Sequence, residues 1–499
     1  MWIFTYKTDK HGFLQKCKAR LVVLGNQQAQ TDLPTRATTL ASMTFRALMA
    51  IAAKFDLETT QMDAVNAFVH SSLDEVVYMR PPPGFETRDR VLRLRKALYG
   101  LRRSPLLWQK NLTRSLRELG FREIPQEPCV MINGAVIVFF FVDDIVFCYR
   151  KSDEENAKEA IAGLQQEYTM NVFGELKWFL GIHVIRDRAK RTLWLSQEAY
   201  IDKIANQYEV ELEGRLPDTP MTDQELLPSK EVADKASVVK YQKKTGSILF
   251  AATTTRPDVA FAASRLARFN QNPDSSHHRA ADRVIQYLYS TRSRSICFGR
   301  ETGARSFICA SDASFADNTL DRKSSQGYIM MLFGGPIAWR ANKQDTVTTS
   351  STEAELLALS QTAKEAIFIS RLFKAMTLEL DEPLTIECDN KQTLRLLTEE
   401  ATKLITKLRH VDIHHHWLRQ EYTHGRVQFE WKPTTEMLAD GLTKALPRQR
   451  HEGFIKMIGL DDIQDRLNRE RRMEDLKDRI KEARLNKQED AEQVVQLTH

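Results

Sequence analysis

Two adjacent aspartates, Asp143 and Asp144, lie within a strongly apolar run of the sequence. Residues 136–142 are all apolar, residues 145–148 continue in the same way, and β-branched and aromatic side chains dominate both flanks. This composition predicts two strands joined by a tight turn, with the two carboxylates at the edge of that turn. Carboxylates beside so much apolar surface cost free energy unless a cation neutralises them, and Mg²⁺ prefers such oxygen ligands. Taken alone, an ordinary hairpin with an acidic turn is the better explanation.

Asp63 is an upstream carboxylate that could complete this site. It ends a predicted strand that begins near Leu57, and Phe68 follows five residues later. A single aspartate at a strand end is usually a cap or turn residue. Asp63 therefore has a chemical role only if the fold brings it to Asp143 and Asp144.

A second set of acids lies in the C-terminal half of the chain. Asp312 and Asp389 end predicted strands, and Glu355 and Asp440 are predicted to lie on helices. If they converge, four such carboxylates bind two Mg²⁺ ions about 3.5–4 Å apart, one for the attacking water and one for the leaving oxygen. Four unrelated surface acids explain the same residues, because the chain contains 66 Asp and Glu in all.

The elements that must position these acids follow from periodicity and turn residues. We predict a basic hairpin over residues 1–30, with strands at 2–7 and 16–24 around a turn at 9–12, hairpins around 143–144 and over 174–184, and a polar linker over 211–236. Helices are predicted at 40–55, 153–167, 241–254, 257–269 and 277–290, and strands at 306–317, 327–332, 336–340 and 384–390. A capping-box helix start is predicted at 350–359, a strand near Trp431 leads into a helix that carries Asp440, and a long exposed helix begins at 462.

Two basic stretches are candidates for phosphate binding. Lys16, Lys18 and Arg20 fall at period two and share one face of a strand, although a solvated strand face is the better explanation on local evidence. The stretch from Gly100 to Pro105 contains two arginines before a helix that Pro105 could open. A plain loop-to-helix junction explains this second stretch about equally well.

Composition limits the class of protein. The 499 residues, with 42% hydrophobic and 28% charged side chains, are typical of two or three soluble globular domains. The net charge of +6 is compatible with nucleic acid. Six scattered cysteines without a C-x-x-C pair indicate a reducing compartment and argue against a zinc knuckle or a disulfide framework. The N-terminus has no signal-peptide layout, and the longest apolar run, near 135–142, is too short to span a bilayer.

A series of motifs runs in one order along residues 2–450. They are Lys18 to Val22, Gln61 to Asp63, Tyr78 to Phe85, Ala97 to Leu101, Phe141 to Asp144, Gly174 to Gly181, Thr255 to Ala260, Phe269 to Pro273, Ser311 to Ser314, Ser351 to Glu355, Cys388 to Asn390 and Leu438 to Lys444. Together they resemble the reverse transcriptase of Copia/Ty1-type LTR retrotransposons with its fused ribonuclease H.

The resemblance implies an α+β chain, in which a right-hand polymerase of fingers, palm and thumb precedes an α/β ribonuclease H-like domain. The implied divisions are fingers and palm over 1–210, linker and helical thumb or connection over 211–300, the ribonuclease H-like domain over 301–450, and a charged helical tail over 451–499. The family polymerase has more chain before Trp2, so a fragment or a decayed copy is expected. Phe141 stands where the family usually has Tyr, which removes one hydroxyl.

Site residues are implied in the same way. Asp63, Asp143 and Asp144 would hold the two metal ions of the polymerase. Phe68 would crowd the sugar 2′-carbon and exclude ribonucleotides, and Arg20 with Lys18 would contact the triphosphate. Gly100 to Pro105 would lie under the nascent base pair, and Gly174 to Leu180 would resemble the primer grip.

Asp312, Glu355, Asp389 and Asp440 would form the ribonuclease H quartet that cuts RNA in an RNA–DNA hybrid, with Glu355 preferred to its neighbour Glu353. The implied cofactor is Mg²⁺, two ions per site, with Mn²⁺ as a substitute. The implied partners are an RNA template, a DNA primer, the hybrid and dNTPs, without a membrane, in an intracellular setting that is either a cytoplasmic virus-like particle or the nucleus. A metal site at His414, His415 and His416 is not favoured, because adjacent helical residues point apart.

Two rival functions remain open. The first is a catalytically inactive retrotransposon remnant that at most binds nucleic acid. The second is a host protein that kept only the nuclease, which the presence of Asp63, Asp143 and Asp144 argues against.

Overall fold

The computed structural model describes residues 1–8, 14–28, 32–86, 90–300, 305–380, 383–399, 409–473 and 475–476. Its contacts divide the chain into two compact units. The first is Met1–Phe179 with Glu365–Asp381, and the second is Leu180–Lys364 with Glu382–His499. The four-part division into 1–210, 211–300, 301–450 and 451–499 stays a prediction. None of the described helices is both long and apolar enough to cross a membrane.

The first unit combines three helices with a sheet and two separate hairpins. Its strands are β1 (Trp2–Thr8), β2 (Leu14–Leu21), β3 (Glu58–Ala64), β4 (Ser72–Met79), β5 (Leu92–Lys96), β6 (Arg122–Ile124), β7 (Glu127–Asn133), β8 (Val136–Phe141), β9 (Asp144–Tyr149), β10 (Met170–Gly174) and β11 (Trp178–Phe179). Its helices are α1 (Ser42–Lys54), α2 (Ser104–Glu118) and α3 (Glu154–Glu167).

The main sheet of this unit has the strand order β10-β3-β9-β8-β7-β6. The apolar run around Asp143 supplies two neighbouring strands, β8 and β9, whose side chains Val138, Phe139 and Phe147 are fully buried. Such strands are apolar on both faces because both faces of the sheet are covered. The helix α2 begins with Pro105 in its first turn, as predicted, and buries Trp108 on its inner face.

The second unit contains the remaining elements. Its strands are β12 (Ile182–Asp187), β13 (Thr192–Ser196), β14 (Arg294–Phe298), β15 (Phe307–Ser314), β16 (Ser325–Leu332), β17 (Gly335–Lys343), β18 (Thr385–Cys388), β19 (Gln428–Trp431) and β20 (Leu460–Asp462). Its helices are α4 (Glu198–Tyr208), α5 (Lys235–Thr254), α6 (Ala260–Ala267), α7 (Ser275–Ser290), α8 (Ser351–Ala375, whose last part groups with the first unit), α9 (Lys391–Thr398), α10 (Arg409–Thr423) and α11 (Arg448–Met457).

Helices α4 to α7 share one apolar core that includes Tyr241, Ile248, Leu266 and Ile285. A second sheet pairs β12, β13, β14 and β20 in antiparallel fashion. A third sheet has the order β17-β16-β15-β18-β19, with antiparallel pairing on one side of β15 and parallel pairing on the other. Helices α4 to α7 thus form one helical layer in the sequence between β13 and β14, and the unit combines this layer with mainly antiparallel sheets, which is an α+β arrangement.

Most predicted elements are present, and four differ in an informative way. The strand predicted to reach Leu24 ends at Leu21, and its predicted turn at 9–12 lies outside the described residues. Residues 211–236 contain little regular structure, but Leu212, Met221 and Leu226 pack against the helical core, so this stretch is not a loose linker.

The other two differences lie near the C-terminus. Asp440 was expected on a helix but begins a short 3₁₀ turn, Asp440–Leu442. The prediction of an exposed helix from residue 462 is wrong at its start. Residues 460–462 form β20, which pairs with β14, and Ile463 and Leu467 are buried in a cluster with Trp194. A helix covers 464–473, and the tail after 476 lies outside the described residues.

Candidate active sites

The three aspartates predicted to form a polymerase site come together at the ends of neighbouring strands in the first unit. Strands β3 and β9 are antiparallel, and their register sets Asp63 directly opposite Asp144. The backbone of Asp143 closes the same corner, since its carbonyl accepts a hydrogen bond of 3.0 Å from the Ala64 amide. Residues that face each other across a sheet lie about 4.5–5.5 Å apart at their Cα or Cβ atoms. The fold therefore places all three acids at one point.

The turn that presents Asp143 is unusual. Val142 has a φ of 57°, a left-handed conformation that β-branched residues rarely adopt. Its carbonyl accepts a hydrogen bond of 2.6 Å from the indole Nε1 of Trp108. This contact of Trp108 was not predicted from the sequence.

Electrostatics at this corner favour the arrival of a cation. Burial, together with the nearby charges of Asp143 and Asp63, raises the pKa of Asp144 to about 6. A side-chain hydrogen bond from Gln61 acts in the opposite direction. Three half-buried carboxylates with only oxygen donors are the chemistry that suits Mg²⁺ or Mn²⁺, so the residues present fit a divalent ion.

Phe68, Arg20 and Tyr99 form an aromatic and cationic group beside these acids. The ring centroids of Phe68, which is buried, and Tyr99, which is half-buried, are 4.5 Å apart. The Arg20 guanidinium lies over the Tyr99 ring, 5.2 Å from its centroid. Burial raises the pKa of Tyr99, with Asp143 as the next contributor, so this ring faces the acidic corner. Lys18 lies two residues before Arg20 on β2 and is half-buried. Tyr99 was not singled out from the sequence.

Gly100 to Pro105 behaves mainly as a loop-to-helix junction. Gly100 has a φ of 93°, and a side-chain carbon there would lie 1.9 Å from the Val23 carbonyl oxygen, so only glycine fits. Arg102 donates to the Gly25 carbonyl at 2.7 Å. The buried Arg103 pairs with Asp74 and donates to the Pro34 carbonyl at 2.8 Å. These contacts favour the structural explanation of the two arginines.

The four acids predicted to form a nuclease site lie near one another in the second unit. The parallel register pairs Ala310 with Glu387, which leaves Asp312 and Asp389 each two residues further along neighbouring strands. Glu355 Oε1 accepts a hydrogen bond of 3.3 Å from the Ala313 amide, beside Asp312. Glu355, Cys388 and Asp389 have ligand atoms within 4.8 Å of one another. Asp312, Glu355 and Asp389 therefore lie together, with Cys388 as an unpredicted neighbour.

Glu353 and Glu355 have different structural roles. Glu353 accepts hydrogen bonds of 2.7 Å from the amide and the hydroxyl of Thr349, so it caps the first turn of α8. Glu355 is buried and faces Asp312 and Asp389, and burial followed by these charges raises its pKa well above the usual value. The spacing of two residues on a helix turns the two carboxylates to different faces.

A lysine and an arginine that sequence reasoning missed neutralise part of the quartet. Lys444 lies 3.9 Å from Asp312 Oδ2 and also pairs with Asp440. Arg450 donates to Asp440 Oδ2 at 2.6 Å, and the Thr443 hydroxyl donates to Asp312. Burial still raises the pKa of Asp312 to about 6, with Asp440 and Asp389 adding to the effect. Lys444 was quoted only as the end of a motif, although a lysine four residues after an acid is a signal that could have found it.

The quartet also fits a divalent cation. Its ligand atoms are carboxylate oxygens, and the raised pKa values of Asp312 and Glu355 show that the local positive charge does not offset their burial. Asp389 is oriented by the Thr434 hydroxyl, which donates to its Oδ2 at 2.7 Å. Such supporting hydrogen bonds fix the direction of a ligand before a metal arrives.

The three consecutive histidines lie on α10 and have separate partners. His414 Nδ1 is 2.7 Å from the Ser360 hydroxyl, His415 Nε2 is 3.1 Å from the Leu396 carbonyl, and His416 lies 3.5 Å from Asp412. Ligand atoms of Asp412, His415 and His416 nevertheless fall within 4.8 Å of one another. His416 is largely exposed, so an ordinary surface pair with Asp412 accounts for this group.

The sequence is similar to a known family and to known proteins of transposons. Residues 1–222 match the reverse transcriptase (RNA-dependent DNA polymerase) family. Over 476 residues the chain is 31% identical to the retrovirus-related Pol polyprotein from transposon TNT 1-94 of Nicotiana tabacum, an alignment that covers 92% of this chain and 35% of the polyprotein. Over 314 residues it is 31% identical to a transposon Ty5-1 protein of Saccharomyces cerevisiae, covering 61% of this chain and 100% of that protein.

This chain belongs to the Copia/Ty1-type retrotransposon Pol family. The predicted reverse transcriptase with a fused ribonuclease H, of α+β class, is thereby confirmed at the level of family and fold. The chain spans about a third of the length of the Pol polyproteins it matches. A solved foamy viral protease-reverse transcriptase in complex with double-stranded DNA is similar at a TM-score of 0.45 and 16% identity, over 86% of this chain and 64% of that chain.

Proposed function

We propose that this Pol chain is an RNA-directed DNA polymerase that also cleaves RNA in RNA–DNA hybrids. The observation that carries the proposal is the register of β3 and β9, which sets Asp63 against Asp144 and beside Asp143. Structural packing alone gives no reason to gather three half-buried carboxylates at a strand end, because burial, followed by the charges of Asp143 and Asp63, disfavours the charged form of Asp144 and raises its pKa.

In the polymerase site, Asp63, Asp143 and Asp144 would hold two Mg²⁺ ions, which would supply activation of the primer 3′-hydroxyl and charge for the triphosphate. Arg20 supplies a cation next to these acids and Lys18 lies on the same strand, so both can orient the triphosphate of a dNTP. Phe68 presents a rigid buried ring packed on Tyr99, which suits the exclusion of a ribose 2′-hydroxyl. Gly100 to Pro105 would lie under the nascent base pair, as the family resemblance implies.

In the nuclease site, Asp312, Glu355, Asp389 and Asp440 would hold two Mg²⁺ ions that supply an activated water and stabilise the leaving oxygen. Thr443 and Thr434 orient two of the carboxylates, and Lys444 holds the acids together before ions bind. The partners proposed are an RNA template, a DNA primer, the hybrid and dNTPs. We also propose an intracellular location, in a cytoplasmic virus-like particle or in the nucleus.

The test is primer extension on an RNA template with Mg²⁺, together with cleavage of a labelled RNA–DNA hybrid, by the full chain. The expected result is that Asp143→Asn abolishes extension and keeps hybrid cleavage, whereas Asp312→Asn does the reverse. A chain that does neither, and whose Asp143→Asn variant behaves identically, is an inactive remnant. Hybrid cleavage without extension would instead identify a protein that uses only the nuclease.

A further inference from the structure

A cleft of about 400 Å³ lies in the second unit, beside the nuclease acids. Its walls are the stretch 221–229, helix α6 with the residues after it, and the loop that follows β15. Thr443 and Lys444 also line it, and both contact Asp312. The cleft therefore adjoins the site where the nuclease carboxylates converge, and its volume is in the range of about 300–1,000 Å³ that is typical of ligand sites.

The acidic side chains of the cleft already have donors. Asp317 accepts from the amide and the hydroxyl of Ser325, at 2.6 and 2.8 Å. Asp321 pairs with Lys343 at 2.7 Å. Glu225 accepts from the hydroxyl of Thr319 at 2.9 Å. The remaining acid, Asp223, is exposed to solvent, so three of the four carboxylates of the cleft are held by donors other than Arg268.

Those arginines, Arg265 and Arg268, lie on one side of the cleft. Arg265 approaches Asp317 only at 3.5 Å. Arg268 Nη2 reaches the Ser325 hydroxyl at 3.4 Å, and its Nη1 is buried without a hydrogen-bond partner among the described residues. Burial, and next the charge of Arg265, lower the pKa of Arg268 to about 10, while the charges of Asp317, Asp321 and Glu225 act in the opposite direction. The Arg268 side chain is half-buried, and a buried donor such as its Nη1 that is left without a partner costs free energy that an anion in the cleft would recover.

We propose that this cleft binds one phosphate of the nucleic-acid backbone, with Arg268 as the main ligand and Arg265 beside it. A guanidinium offers a planar fork of donors that matches phosphate oxygens. A phosphodiester near the cut bond is the anion that a hybrid in the nuclease site would bring to Thr443 and Lys444. This assignment rests on the proposed nuclease function, and it adds a second anchoring point outside the four catalytic acids.

The first experiment measures the melting temperature of the full chain with inorganic phosphate against chloride at equal ionic strength, in EDTA. The expected result is a rise with phosphate that Arg268→Met removes. Arg268→Met should itself keep or raise the melting temperature in chloride, because it removes a buried donor that has no hydrogen-bond partner among the described residues. The control is Arg215→Met, whose arginine is 82% exposed and lies outside the cleft. Absence of a phosphate effect, or an equal effect in Arg268→Met, overturns the anion site.

The second experiment measures binding of a short RNA–DNA hybrid with Ca²⁺ in place of Mg²⁺, over a series of salt concentrations. Loss of one phosphate contact should weaken binding about tenfold and lower the slope of log K against log salt by about 0.9. Arg215→Met should change neither. A wild-type chain that binds and cleaves hybrid no better than Arg268→Met overturns this inference alone, whereas a wild-type chain that binds no hybrid overturns the nucleic-acid assignment together with the proposed function.

Discussion

The Trp108 indole donates a 2.6 Å hydrogen bond to the Val142 carbonyl, which ties helix α2 to the turn that carries Asp143. Val142 is left-handed at a φ of 57°, a conformation that costs a β-branched residue about 1–2 kcal/mol. The turn is therefore held in a strained shape by a neighbouring helix. Rigid placement of this kind is what a site needs when carboxylates must meet ions in one geometry.

Trp108→Phe should remove this tie while keeping most of the apolar packing. We expect a loss of about 1–3 kcal/mol of stability, since the buried carbonyl loses its donor. Primer extension should fall and hybrid cleavage should not, because Trp108 belongs to the first unit. Val142→Gly is the matched control. It keeps the carbonyl and relieves the backbone, so it should preserve more extension activity than Trp108→Phe, and the opposite order would contradict the role of the hydrogen bond.

Glu353 and Glu355 provide a matched pair on one helix turn. Glu355→Gln should abolish hybrid cleavage with little loss of melting temperature, because Glu355 belongs to the acidic quartet. Glu353→Gln should keep cleavage and cost about 1 kcal/mol of stability, as expected for a weakened helix cap. Cleavage assays and thermal melts of both variants decide the point. Equal loss of cleavage in the two variants would show that the quartet has been assigned wrongly.

Asp312 should make metal-free stability depend on pH. The pKa of Asp312 is about 6 in the folded chain, whereas the ordinary value for an aspartate is 3.8. The folded state therefore binds this proton more tightly than the unfolded state. The contribution of Asp312 to the free energy of unfolding is thus largest below about pH 3.8, and it is lost as the pH rises through about 6. Asp312→Asn should melt at a higher temperature than the wild type at pH 8 in EDTA, and the difference should shrink at pH 5.

Magnesium should reverse this order at pH 8. The wild type gains a bound ion and should be stabilised by Mg²⁺, whereas Asp312→Asn lacks one ligand and should gain much less. A wild-type melting temperature that does not respond to Mg²⁺ would contradict metal binding at the quartet.

The Lys444 ammonium supplies positive charge among the acids where a metal ion would otherwise do so, since it contacts both Asp312 and Asp440. Lys444→Met should lower metal-free stability and should also lower the Mg²⁺ concentration needed for half of the stabilisation, because the ammonium and the ion compete for the same oxygens. The control is Lys432→Met, whose lysine pairs with Glu387 and Glu430 in the same sheet. Titration of Mg²⁺ against melting temperature is the measurement, and an unchanged midpoint in Lys444→Met would exclude competition.

A buried network in the second unit explains the motif from Thr255 to Ala260. Arg256 makes a two-point contact with Asp258 at 2.9 and 2.7 Å, and the Tyr287 hydroxyl donates to Asp258 at 2.7 Å. His451 Nε2 lies 2.8 Å from the same hydroxyl. All four side chains are buried, so removal of one charge leaves its partner unpaired.

Asp258→Asn should therefore cost about 3–5 kcal/mol of stability, the usual result of breaking a buried ion pair. Burial also lowers the pKa of His451 to about 4, below its usual value of 6.5. Stability from neutral His451 is full above pH 6.5 and is lost as the pH falls towards 4. His451→Gln should flatten this part of the profile in thermal melts. A profile between pH 6.5 and 4 that is as steep in the variant as in the wild type would contradict this assignment.

Local sequence rules predicted the secondary structure correctly where residues within a single helix or hairpin determine it. The helix at 40–55 and the hairpin around Asp143 follow from apolar periodicity, and both are present with small shifts at their ends. The exposed helix expected after 462 failed because β20 extends a sheet whose other strands lie far away in sequence. Residues 211–236 likewise look like a linker by composition, yet tertiary packing buries part of them.

The family, the seven candidate acids and the order of the elements that carry them could be predicted from the amino-acid sequence. Which of these acids meet, and which contacts support them, follows only from the packing of the elements. The register of β3 with β9 faces Asp63 with Asp144, and the contacts of Lys444, Trp108 and Arg268 join segments that are far apart in the chain. Periodicity reports only neighbours within one element, whereas charge pairing and burial depend on distances that exist once the elements have packed.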